Sequence, residues 1–230
     1  MKIAGFQKFS LIDYPSKISA IIFTQGCNFR CPFCHNPELV DPKLFSDTLD
    51  EGSILSFLRR RAGKLDGIVI TGGEPLLQHD LIEFIERVKE MGYLIKLDTN
   101  GSYPEILEQL LAKNLIDYIA MDIKAPLEKY PNVVQTDVCT EKIMESITII
   151  LNSNMDYEFR TTVVKDLLTK DDLICIAKLI RGAKRYVLQK FVMSKILDIS
   201  FVSDVKCFSE DELNTIKDKV KKYVSKCIIR

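Results

Sequence analysis

At 230 residues and 26.3 kDa, with 47 % hydrophobic side chains, the chain can bury one sizeable core, which excludes intrinsic disorder as its main state. Lysine and arginine total 32, matched by 32 aspartates and glutamates, so the basic excess of a nucleic-acid binder is missing. The apolar runs fall far short of the roughly 20 residues that span a membrane, and the N-terminal stretch lacks a secretion signal. The expectation is a cytoplasmic protein of one domain over residues 1–230, with neither nucleic acid nor membrane as partner. Seven cysteines, an odd number, then point to metal binding, chemistry or packing rather than to disulfides.

In chain order, β-rich apolar runs predict strands at residues 18–23, 67–71, 93–99, 118–122, 157–164 and 185–191. Helical spacing lies between them. Leu81, Ile82, Ile85, Val88 and Met91 share one face, as do Ile106, Leu107, Leu110 and Leu111. Ile143, Met144, Ile147, Ile150 and Leu151 repeat the pattern, as do Leu173, Ile176, Ala177 and Ile180. A capping box, Ser209 with Glu212, opens the last helix. Six strand-then-helix units imply a parallel sheet with right-handed crossovers. Being two units short of a closed eight-unit barrel, they predict an α/β fold, an open partial (β/α)6 barrel. A flat, doubly wound sheet shares that periodicity.

The first run leads into Cys27-x3-Cys31-x2-Cys34. Three soft thiolates within eight residues can wrap one face of a metal cluster. A four-iron cluster needs four ligands, so one iron stays open to a non-protein group. A zinc knuckle completed by His35 is the alternative, made awkward by His35 standing next to Cys34. The single cysteines Cys139, Cys175, Cys207 and Cys227 are expected to be buried packing residues.

The second run ends in Gly72-Gly73-Glu74-Pro75, where two glycines permit close backbone approach and proline fixes the exit. By itself this is also an ordinary turn. The third ends in Asp98-Thr99-Asn100-Gly101, a turn signal whose polar groups suit ribose hydroxyls or a cation. The fourth carries Asp122 and Lys124, two apart and therefore on one face; a local ion pair is the bland reading. Arg160 on the fifth fits either a carboxylate ligand or a salt bridge at the strand ends. Polar clusters at successive C-terminal strand ends favour the barrel, whose active sites are built there.

Cys27, Cys31 and Cys34 after a first strand, with Phe33 before the third cysteine, resemble the signature of the radical S-adenosylmethionine enzymes. Cys34-His35-Asn36 is similar to the activases of glycyl radical enzymes. Gly5-Phe6-Gln7-Lys8-Phe9-Ser10-Leu11-Ile12-Asp13-Tyr14-Pro15 resembles the anaerobic ribonucleotide reductase activating proteins among them; Ser16 departs from a glycine found in many relatives. The resemblance implies one 4Fe-4S cluster on the three cysteines, and S-adenosylmethionine held near Phe33, Gly72, Gly73, Glu74, Pro75, Asp98, Thr99, Asn100, Asp122, Lys124 and Arg160. It also implies a monovalent cation on Asp98, Thr99 and Asp122, with Lys124 on the methionine carboxylate. The implied partners are a large glycyl radical reductase as protein substrate and flavodoxin or ferredoxin as electron donor. Other activities remain open: an electron carrier, a radical enzyme for a small molecule, or an activase of another glycyl radical enzyme. Activases with an inserted ferredoxin-like segment are excluded, because residues 35–71 hold no cysteine.

Overall fold

A computed structural model describes residues 1–192, 194–202 and 206–230. They form two compact, interleaved units. One comprises Met1–Asn28, Asn36–Thr99 and Glu105–Ile119; the other comprises Phe29–His35, Asn100–Pro104 and Ala120–Arg230.

In the first unit, β1 (Ile3–Ser10) pairs antiparallel with β2 (Ser19–Thr24). Helices α1 (Pro37–Val40) and α2 (Glu51–Arg61) follow. Strand β3 (Gly67–Gly72) runs parallel to β2, with Ser19 opposite Gly67, and β4 (Leu94–Thr99) runs parallel to β3. Ala20, Ile22, Ile68, Ile70, Ile95 and Leu97 are fully buried, as the continuous apolar runs of a parallel sheet require. Helix α3 (Leu81–Lys89) buries Leu81, Phe84, Ile85 and Val88, one face of the 3.6-residue repeat. Then come α4 (Pro104–Ala112) and β5 (Tyr118–Asp122), which begins in the first unit and ends in the second.

The second unit continues with α5 (Tyr130–Val134), α6 (Thr140–Leu151), β6 (Asp156–Val163), α7 (Lys170–Leu179), β7 (Tyr186–Lys190), α8 (Glu210–Val220) and β8 (Cys227–Ile229). Strands β6, β7 and β8 are parallel. The capping box of α8 forms: the Glu212 amide donates to Ser209 Oγ and the Ser209 amide to the Glu212 carboxylate.

The six predicted strands are β2 to β7, with no end shifted by more than one residue. Sequence reasoning missed β1, a half-exposed edge with Gln7 and Lys8 in its run, and the three-residue β8. It also missed α2, which Asp50 caps by accepting from the Ser53 amide. One expectation is corrected for the single cysteines. Cys227 is buried and Cys175 partly so, but Cys139 and Cys207 are exposed, their thiols donating to the Glu141 carboxylate and the Phe191 carbonyl. Among the described residues no helix is long and apolar enough to cross a membrane.

The turn between β1 and β2 is pinned by Tyr14, whose ring packs where a side chain on Gly67 would otherwise stand. Ser16 sits there at φ +60°, the left-handed region in which a glycine is unstrained. Gly73 is constrained differently: a Cβ on it would stand 2.0 Å from the Gly26 carbonyl oxygen. Urea unfolding should therefore show Ser16→Gly more stable by about 0.5–1 kcal/mol. Gly73→Ala should be less stable by about 2 kcal/mol or more, because backbone and not a flexible side chain must move.

Candidate functional site

In the first unit the Gly-Gly-Glu-Pro segment clamps the chain that leads into Cys27. The Gly73 amide donates to the Thr24 carbonyl (2.9 Å) and the Glu74 amide to the Gly26 carbonyl (2.8 Å). From the other side, the Gly26 amide donates to the Leu39 carbonyl at 2.8 Å. The two glycines thus admit neighbouring backbone, which accounts for Gly72 at φ +122° and for the tight fit at Gly73.

Glu74 is fully buried. Its Oε1 accepts from the Leu76 amide (3.0 Å) and from Thr99 Oγ1 (2.7 Å), tying the exit of β3 to the end of β4. Pro75 opens a 3-10 turn behind it. On β4, Lys96 forms an ion pair with Asp98, two residues on and on the same face. The Lys96 side chain is 4 % exposed, an uncommon place for an ammonium.

The second unit holds the other strand ends. Asn100 Oδ1 accepts from the amide and hydroxyl of Ser102, shaping the turn into α4. Asp122 at the end of β5 is gripped twice, by Arg160 Nε (2.8 Å) and Lys124 Nζ (3.0 Å). The local ion pair is therefore real, and Arg160 joins it. Burial alone would raise the Asp122 pKa; the guanidinium and then the ammonium outweigh it and hold the carboxyl well below the usual range. Burial would lower the Lys124 pKa, but Asp122 and then the Cys31 thiol beside it push it up. Tyr130, fully buried, accepts the Lys124 amide on its hydroxyl and packs edge-on against Phe29.

Within the cysteine loop the Cys34 amide donates to the Cys31 carbonyl at 3.0 Å, a tight turn around the buried Phe33. The Cys34 and Pro32 carbonyls accept from the Leu197 and Asp198 amides. His35 stacks on Phe191, centroids 5.2 Å apart, with Nε2 2.9 Å from the Val192 carbonyl oxygen. None of the seven cysteines is in a disulfide, so three thiols within eight residues remain as a soft donor set that fits a four-iron cluster with one open iron.

Residues 21–180 match the radical SAM superfamily. The chain belongs to the radical S-adenosylmethionine superfamily. Within it the chain is homologous to the glycyl-radical enzyme activating enzymes. A Methanocaldococcus jannaschii protein bearing that name is 36 % identical over 99 % of this chain and 95 % of its own length. The pyruvate formate-lyase 1-activating enzyme of Escherichia coli is 26 % identical over 74 % of this chain and 71 % of its own. In fold, the chain resembles Streptococcus suis SuiB bound to S-adenosylmethionine, at a TM-score of 0.65 and 14 % identity, over 91 % of this chain and 51 % of that one. The radical S-adenosylmethionine α/β fold expected from the sequence is therefore the one found, and as a member of the superfamily the enzyme uses its 4Fe-4S cluster and S-adenosylmethionine.

Sequence reasoning missed Lys96, Tyr130 and the His35–Phe191 stack. The signal for Lys96 was present, since a lone charge inside an apolar strand needs a partner; the other two depend on contacts distant in sequence. Asp122→Asn leaves Arg160 and Lys124 without their carboxylate and should cost about 3 kcal/mol in urea unfolding. Thiol labelling of the apoprotein at pH 8 should modify Cys139 and Cys207 quickly. Cys227, whose pKa burial pushes up to about 11, should react only after unfolding.

Proposed function

We propose that this radical S-adenosylmethionine enzyme activates an anaerobic ribonucleoside-triphosphate reductase by forming a glycyl radical on it. The observation that carries the reading is the N-terminal stretch from Gly5 to Pro15, joined to a cysteine motif followed by no further cysteine until Cys139. Homology to the activating enzymes supports the reaction class, and another glycyl radical enzyme fits that homology equally.

Cys27, Cys31 and Cys34 are the cluster ligands in this reading. When bound, the cluster supplies the electron that cleaves S-adenosylmethionine to methionine and a 5′-deoxyadenosyl radical. The protein binds and orients. Lys124, kept charged by Asp122, meets the methionine carboxylate in this reading, supported by its ion pair with Asp122, which Arg160 also holds. Glu74 and Thr99 fix the strand ends around the methionine amino group, Asp98 lies on the side of the methionine carboxylate, Asn100 on the ribose side, and Phe33 near the adenine. No side chain is asked to act as a general base. Flavodoxin or ferredoxin is the proposed electron source, and the cytoplasm the proposed compartment.

The test is anaerobic mixing of reduced enzyme, S-adenosylmethionine and the candidate reductase. A stable doublet in the electron paramagnetic resonance spectrum is expected. If no reductase gives it while a small metabolite consumes the deoxyadenosyl radical stoichiometrically, the small-molecule reading replaces this one. Reconstituted Cys27→Ala, Cys31→Ala and Cys34→Ala should lose their iron, whereas serine at Cys139 or Cys207 should retain it. Loss of iron in either serine variant would overturn the ligand assignment.

A further inference from the structure

Three side chains are implied as ligands of a free monovalent cation, and each already has a partner in its own unit. The Asp98 carboxylate is paired with Lys96, the Thr99 hydroxyl donates to Glu74, and Asp122 is held by Arg160 and Lys124. The charges are equally telling. Asp98 with Lys96 is neutral as a pair, and Asp122 with its two partners carries one net positive charge. A free cation at Asp98 or at Asp122 would stand against an ammonium or guanidinium already on that carboxylate, so these two side chains do not fit it.

Lys96 is the unusual residue. It stands in the middle of a strand whose neighbours Ile95 and Leu97 are fully buried, opposite Val69 of β3, with its side chain 4 % exposed. Burying an ammonium is unfavourable unless a counter-charge meets it, and an apolar residue would fill that position at less cost. Its charge reaches one carboxylate, at the strand end where ligand is held.

We infer that Lys96 is the built-in cation of this site: its ammonium takes the place of a bound monovalent metal ion on Asp98, so S-adenosylmethionine binds without one. The inference rests on placing the β4 end at the S-adenosylmethionine site, as proposed above.

The experiment is equilibrium dialysis of labelled S-adenosylmethionine against the full, cluster-reconstituted chain, in potassium chloride and in choline chloride at equal ionic strength. Wild type should bind equally in both salts, within about twofold, because its own ammonium serves in either. Lys96→Met should bind at least about tenfold more weakly in choline, with potassium restoring most of the loss. The wild-type comparison needs no variant to fold. Wild-type affinity that collapses in choline overturns the inference while leaving the site reading intact. Unchanged binding by Lys96→Met in both salts also overturns it. Unchanged binding by Asp98→Ala brings down the placement of β4 at the site itself.

Discussion

Two cations cannot be held together at the ends of buried strands unless a carboxylate stands between them. Asp122 does this for Arg160 and Lys124, whose side chains are only 11 % and 16 % exposed. The carboxylate stays ionised because the two cations outweigh its burial, and Lys124 stays charged because Asp122 and Cys31 outweigh its own. The result is a carboxylate gripped by two cations, one of them beside a thiol of the cysteine motif. In the proposed function the methionine carboxylate is the anionic group that meets Lys124. The cluster chemistry belongs to the cofactor; what the chain contributes at this point is preorganised charge.

Backbone supplies the other constraint. Gly72 and Gly73 let the end of β3 lie against residues 24–26, immediately before Cys27. A turn near a cofactor invites the reading that its glycines make room for a ligand. They also make room for another loop, and in doing so they fix the backbone that runs from β2 to the first cysteine. Glu74 and Thr99 extend the same lock to β4.

The parallel core was legible because its strands are continuous apolar runs and its helices keep one apolar face; Ile68 to Ile70 and Leu81 to Val88 needed no tertiary information. The Ser209–Glu212 capping box was legible for the same local reason. Strand β1 was not, since Gln7, Lys8 and Phe9 face solvent in succession and its pairing is set by the register with β2, not by its own pattern. At the site, spacing announced Cys27, Cys31 and Cys34 and placed Asp122 and Lys124 on one face. Which partner each charge takes was beyond spacing: Arg160 reaches Asp122 across 38 residues, and Thr99 reaches Glu74 across 25. The left-handed Ser16 shows the converse, a departure in sequence that became a backbone conformation only in the fold.

The central claim is that hydrogen is taken from a glycine of a protein partner. The most direct measurement is isotopic. The candidate reductase is made with α-deuterated glycine, incubated with reduced enzyme and S-adenosylmethionine, and the released 5′-deoxyadenosine is examined by mass spectrometry. One deuterium in the 5′-methyl group, in step with loss of one from the reductase, is the result this account predicts. Unlabelled 5′-deoxyadenosine formed in quantity while the reductase keeps its deuterium would contradict it.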